Sequence, residues 1–385
     1  MNNINELKLA KELIKFPSIT PRDAGTINFL SKQLKSLGFT CKILEFKDKQ
    51  SKPIKNLYAR LGSNEPNLCY AGHTDVVPPG NIEDWTVNPF KPIVKKNYLI
   101  GKGANDMKSS IACFVSAVNK FLKKRKKFNG SISFLITGDE EGLAINGTKK
   151  VVEYLRKKKE KINFCIVGEP TNPNVLGEMI KIGRRGSLSG KIVVSGTQGH
   201  VAYPHLSNNP INTLINICKK LKDKPLDKGN KNFQPSNLEF TAINVDNKAH
   251  NVIPARVSAQ FNVRYNNFYN SISLKKKINS IIKNICKTNR CKFKIKFIEN
   301  GDSFLTKPDK TIHMAKKIIK KITKISPKFS TTGGTSDARF IRKITPCLEF
   351  GLVNKTMHRV DECVSLTDLK KLTKIYNKIL IEYFK

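Results

Sequence analysis

Short apolar runs alternate with amphipathic stretches along this chain, which is the pattern of an α/β protein. Asn67-Leu68-Cys69-Tyr70-Ala71-Gly72 reads as a buried strand, and so do Ser131 to Thr137 (SISFLIT), Asn163 to Val167 and Pro346 to Phe350. Between the first two, an apolar helix starts near Ser109. The middle of the chain is patterned differently. GSLSGKIVVSG (186–196), LEFTAINV (238–245) and VSAQFNVRY (257–265) alternate apolar and polar positions as half-buried strands do, and Asn212 to Leu221 predicts a helix between the first two. The opening MNNINELKLAKELIKF keeps acids among its lysines and has no long apolar core, so it predicts an amphipathic helix and not a signal peptide. No apolar run reaches the ~18 residues that a membrane span needs.

Composition changes this picture little. The chain has 385 residues, 39% hydrophobic and 26% charged, enough for two or three domains with real cores. Its 70 Lys and Arg outnumber 30 Asp and Glu, for a net charge of +40. Such a charge invites a polyanion partner, but the lysines are spread over the whole chain. Lys, Asn and Ile share AT-rich codons, so genome composition is as good a source as selection. The densest clusters, 123–127 and 156–159, fall at expected helix ends, where cations suit the helix dipole. No zinc-finger spacing, aromatic RNA-binding string or basic zipper accompanies them, so specific nucleic-acid binding is not expected. Nine cysteines cannot all pair, and no CxxC occurs. Cys69, Cys113, Cys165 and Cys347 sit in apolar runs as small hydrophobes, which points to a reducing cytoplasm.

The candidate chemistry lies where strands end. His73-Thr74-Asp75 follows the first strand, Gly138-Asp139-Glu140-Glu141-Gly142 the second and Gly168-Glu169-Pro170 the third, and the fourth leads through a short loop to His358. GKGANDMK (101–108) puts Asp106 at the head of the apolar helix. The carboxyl edge of an open α/β sheet is where ligands bind. Taken singly, Asp106 serves equally well as a helix cap, Glu140 and Glu141 as a solvated turn, and His73 as a satisfied core histidine. Yet acids are scarce here, and three crowd together directly after an apolar strand, which is costly unless a cation compensates them. Carboxylates with two imidazoles suit zinc, cobalt or manganese, and they suffice for two metals if one carboxylate bridges.

GHTDVVP (72–78), GKGANDMKSS (101–110), GDEEG (138–142), VGEP (167–170) and the late His358 resemble the di-zinc aminoacylase and carboxypeptidase family of metallohydrolases. GRRGSLSG (183–190), GTQGHVAYPH (196–205), FLTKP (304–308) and TGGTSDARF (332–340) resemble its succinyl-amide branch, in order from residue 16 to the C-terminus. The resemblance implies two Zn2+ per subunit, with Co2+ able to substitute. One metal falls to His73 and Glu169, the other to Glu141 and His358, with Asp106 bridging them. It makes Glu140 the general acid/base and Asp75 the acid that orients the metal-bound histidine. His200, otherwise a polar turn histidine, would reach a partner subunit's site and donate to the oxyanion, which implies a homodimer.

For substrate the resemblance points to Arg184, Tyr203, Asn251, Arg264, Gly334 and Thr335. The two arginines read equally as exposed charges on strands, and Gly333-Gly334 as a tight turn. One departure stands out: the loop before Val-Ile-Pro is Asn247-Lys248-Ala249-His250-Asn251, with His250 where the family carries an amide. The expected fold is α/β: a mixed-sheet catalytic domain with helices on both faces (1–182 and 296–385), interrupted by an α+β lid and dimerisation domain (183–295). The implied reaction is hydrolysis of N-succinyl-LL-2,6-diaminopimelate, a small molecule, to succinate and LL-2,6-diaminopimelate. A relative acting on acetylornithine would share the metal site but not the GRRGSLSG and TGGTSD pair, and a non-catalytic binder would have no need of Glu140.

Overall fold

The computed structural model describes residues 4–49, 51–125 and 127–385; Lys126, within the basic run, lies outside them. The chain divides into two compact units, one of Met1–Ile182, Thr306–Ser330 and Ser336–Lys385, the other of Gly183–Leu305 and Thr331–Thr335.

In the first unit eight strands form one mixed sheet. Their order is Thr40–Asp48, Ser51–Leu61, Ser131–Thr137, Asn67–His73, Phe164–Val167, Cys347–Glu349, Met179–Lys181 and Lys328–Ser330. The four central strands, from Ser131–Thr137 to Cys347–Glu349, are mutually parallel. Every position of Asn67–His73 and Ser131–Thr137 is buried, as expected of strands covered on both faces. This is why their sequences run apolar without alternation. Aromatic rings join the sheet to its helices. Tyr70 stacks on Phe114 of the helix Lys108–Lys124 with centroids 4.4 Å apart, and Phe114 meets Tyr376 of the helix Leu366–Tyr383 at 5.3 Å. Parallel register pairs His73 with Thr137 and Ala71 with Val167, so three strands end at the same edge.

The second unit is built on a four-stranded antiparallel sheet ordered Asn237–Asn244, Arg256–Tyr265, Gly186–Ser195 and Lys292–Gly301. Alternate residues of Arg256–Tyr265 are buried. The helices Pro210–Lys222 and Ser271–Thr288 bring Leu214, Ile217, Leu274 and Ile278 to one core with Leu188, Ile192 and Val263. The strand Lys292–Gly301 runs across the expected division at 295. Its ladder with Gly186–Ser195 keeps residues 296–305 in this unit.

The cysteines all stay free, and six of the nine are buried, among them the four in apolar runs. Lys123 and Lys124 end one helix and Arg156 and Lys157 another, each in the last turn where the dipole favours them. Among the described residues no helix is long and apolar enough to cross a membrane.

Candidate metal centre and its carboxylates

Each strand end delivers its residue through a tight local constraint. His73 closes its strand, and its Nδ1 lies 2.9 Å from the Asp75 carbonyl. A carbonyl only accepts, so Nδ1 carries a proton, and Nε2 is the atom that faces the cluster. The Asp75 carboxylate does not take that hydrogen, because its oxygens are engaged elsewhere. It accepts the backbone N–H of Glu140 and of Glu141, at 3.2 and 3.0 Å, and stays 3.7 Å from Nδ1. Asp75 therefore orients His73 through its backbone and the two glutamates through its side chain. Asp139 bends the same loop back by accepting from Ile145 and Asn146 N–H. Gly168, just before Glu169, has no room for a side chain: a Cβ there would run into the Tyr70 hydroxyl.

Asp106 stands between the two histidines. Its Oδ1 is 3.1 Å from His73 Nε2 and its Oδ2 is 3.2 Å from His358 Nε2. Glu141 Oε1 approaches His358 Nε2 at 2.8 Å, and Glu169 Oε1 lies 3.9 Å from His73 Nε2. The backbone of His358 is left-handed (φ 62°), a conformation uncommon for side chains other than glycine. Two triads, His73–Glu140–Glu169 and His73–Asp106–Glu141, each bring their ligand atoms within 4.8 Å of one another.

Burial, then the Glu169 charge, raises the Glu140 carboxyl well above the usual range. Burial also lifts Asp75 to about 7, against the pull of His73. For Asp106 burial acts upwards too, but the bonds to His358 and His73 outweigh it and hold the carboxyl low. Bonds to Asp106 and Glu141 raise His358 to about 10. Carboxylates and imidazoles crowded and buried in this way are well compensated by a divalent cation. The donors are oxygens and imidazole nitrogens, without thiolate, and one carboxylate offers an oxygen to each histidine. This set fits zinc, cobalt or manganese.

The remaining candidates belong to the second unit. Arg184 is not an exposed charge: it is 8% exposed, and its Nη1 donates to Gly334 O at 3.2 Å. A Cβ on Gly333 would lie 2.6 Å from that nitrogen, so a glycine there lets the guanidinium close. Thr335 ends the same short segment. Arg264 is half-buried opposite Ser187 and Asn237 in the antiparallel ladder. A separate corner holds His200, Tyr203 and Asn251. His200 pairs with Val252, Val201 N–H donates to Asn251 O, and the His200 and Tyr203 rings lie 5.8 Å apart. Ala202 N–H donates to His200 Nδ1 at 3.1 Å. The ring proton is therefore on Nε2, which makes exposed His200 a donor through that atom. Asn247 closes the altered loop by donating to Val252 O and accepting from Ala249 N–H.

Sequence reasoning missed two buried acids. Asp337, in TGGTSDARF, acts electrostatically on Glu140. Glu362 accepts from the amides of the Asp106 loop. Its spacing of four from His358 was the available signal.

Two imidazoles and four carboxylates gathered at the carboxyl edge of a mixed sheet define a metal-dependent hydrolase, and the chain belongs to the peptidase family M20/M25/M40, which residues 69–382 match. Within it, the chain is 65% identical over 384 residues to a succinyl-diaminopimelate desuccinylase of Pelagibacter ubique, covering 100% of both chains. The same fold recurs at 19% identity in the aminopeptidase PepT of Bacillus cereus (TM-score 0.79, 100% of both chains). It recurs at 14% identity in a Bacillus subtilis protein described as a dinuclear metal-binding M20 peptidase (TM-score 0.72, 98% of this chain and 97% of that one).

Proposed function

We propose that this chain hydrolyses N-succinyl-LL-2,6-diaminopimelate to succinate and LL-2,6-diaminopimelate, on the route to lysine and meso-diaminopimelate. The observation that carries this reading is the full-length 65% identity to a desuccinylase in a chain that keeps the whole ligand cluster with Glu140 beside it. In this reading His73 and Glu169 hold one Zn2+, Glu141 and His358 hold a second, and Asp106 is shared between them. Co2+ serves in their place. A divalent ion held by these residues would supply polarisation of an amide carbonyl and would lower the pKa of a bound water from ~15.7 towards 7.

The chain's own groups do the rest. Glu140 takes a proton from the attacking water as its oxygen bonds to the amide carbon. The carbon–nitrogen bond then breaks, and Glu140 returns the proton to the leaving amine. Asp75 keeps Glu140 in place through the backbone bonds described above. His200 Nε2–H donates to the developing oxyanion in the partner subunit's site, so the working unit is a homodimer. Arg184 and Arg264 hold substrate carboxylates, for which a guanidinium's forked donors are suited. Tyr203, Asn251, Gly334 and Thr335 complete the substrate contacts, and His250 donates where relatives carry an amide. Free, mostly buried cysteines support a cytoplasmic home.

The test is hydrolysis by metal-stripped protein with zinc restored, on the succinyl substrate and on N-acetylornithine, with Glu140→Gln as control. Zinc-dependent turnover of the succinyl substrate alone is expected. Turnover of acetylornithine instead would discard the arginine assignment and keep the metal centre.

A further inference from the structure

Residues 101–106 carry Asp106 into the cluster through successive turns, so their backbone amides must find partners outside a helix or sheet. Lys102 N–H donates to Pro89 O and Ala104 N–H to Gly101 O, and the other four converge on one residue. Gly101 N–H donates to the Glu362 carbonyl at 2.9 Å. Gly103 N–H donates to Glu362 Oε2 at 3.0 Å, and Asn105 and Asp106 N–H donate to Oε1 at 2.8 and 2.9 Å. Lys102 Nζ adds a 3.2 Å ion pair to Oε2. Glu362 is fully buried and Lys102 is 2% exposed. Glu362 also stands four residues after His358. One short segment therefore supplies an imidazole of the cluster and grips the loop whose carboxylate faces that imidazole.

We propose that Glu362 is a positioning residue for the metal centre: its carboxylate fixes the 101–106 loop so that Asp106 presents one oxygen to His73 and the other to His358. The inference rests on Asp106 being the shared metal ligand. A carboxylate held by three amides and an ammonium in a dry site has no freedom to turn, and the amide of Asp106 is one of the three. Partners of this kind, behind the ligands themselves, commonly change metal affinity or activity by about 10–100-fold when removed. The alternative is that Glu362 is only the counter-charge of a buried lysine.

Two variants and one measurement on the unaltered protein separate these. Glu362→Gln keeps an oxygen for Asn105 and Asp106 but turns a donor towards Gly103 and Lys102. Lys102→Met with Glu362→Gln removes both charges, so no buried ion is left unpaired if the single variant fails to fold. Zinc affinity is measured by competition with a chromophoric chelator, and kcat and KM on the succinyl substrate. We expect zinc affinity and kcat to fall by about 10–100-fold in the double variant, with KM little changed. In the unaltered protein the amides of Gly103, Asn105 and Asp106 should exchange with deuterium as slowly as core strands, and faster in the variant. A variant that melts earlier yet keeps zinc affinity and kcat would reduce Glu362 to a counter-charge and overturn the proposal. So would loop-like exchange of the three amides in the unaltered chain. Unaltered protein that holds zinc but ignores the succinyl substrate would cost only the substrate reading, since zinc affinity still tests Glu362; unaltered protein that holds no zinc would overturn both.

Discussion

At the scale of single residues, the proposed reaction asks some groups to hold a metal and one, Glu140, to move a proton. Glu140 makes neither of the short contacts that tie Asp106 and Glu141 to the histidines, so it remains available as a base. Glu140→Gln should lower kcat by at least ~10²–10⁴ while the protein retains its zinc, as metal analysis after gel filtration would show. The histidines give a second expectation. His358 is raised to about 10 by Asp106 and Glu141, so in the metal-free protein it is protonated at neutral pH. Because its pKa is raised, the stability it lends that form is complete below its ordinary value of 6.5 and fades as pH climbs through about 10. A ligand imidazole must give up the proton, so zinc binding at pH 7 should release at least about one proton and weaken as pH falls. Zinc titration calorimetry in two buffers of different ionisation enthalpy measures the release; identical heats would count against the assignment of His358. These residues were legible from sequence because each follows an apolar run ending in a turn. Which atom of Asp75 meets His73 was not, since a carbonyl and a carboxylate of one residue leave the same trace in a sequence.

At the scale of elements, the ligands are only as well placed as the strands that carry them. Ser131–Thr137 and Phe164–Val167 match the predicted runs to within a residue, because unbroken apolar stretches bounded by glycine leave little choice of ends. The helix Ser271–Thr288 and the strand Lys292–Gly301 escaped notice. KFKIKFI (292–298) alternates cleanly, and that period of two was the available signal. The element contacts that matter most for the centre are the aromatic ones between the strand of His73 and the helix following Asp106. Phe114, fully buried, touches Tyr70, Phe134 and Tyr376 with centroids 4.4–5.3 Å apart. Phe114→Ala should cost about 3–5 kcal/mol. Urea melts of the metal-free protein read this as a lower midpoint at unchanged slope; a loss below ~1 kcal/mol would mean that the cavity collapses freely.

At the scale of the whole molecule, the proposed reaction draws on both units and on two copies of the chain. Glu140→Gln and His200→Ala chains, each nearly inactive, should regain activity when unfolded together and refolded as mixed dimers, because one of the two sites then has both its own Glu140 and the partner's His200. Absence of recovery, with mixed dimers present by native mass spectrometry, would argue that His200 serves its own chain or none. The sequence alone determined the class of fold and the central strands with the His, Asp and Glu at their ends, because hydrophobic period and the turn chemistry at strand ends are local properties carried by neighbouring residues. Only the tertiary structure decided that Asp106 divides its oxygens between two histidines, that Arg184 closes on Gly334, and that Glu362 gathers the amides of a loop more than 250 residues away in sequence. Those are matters of direction and distance between groups far apart along the chain, and they exist only once the packing of the sheet and its loops has set them.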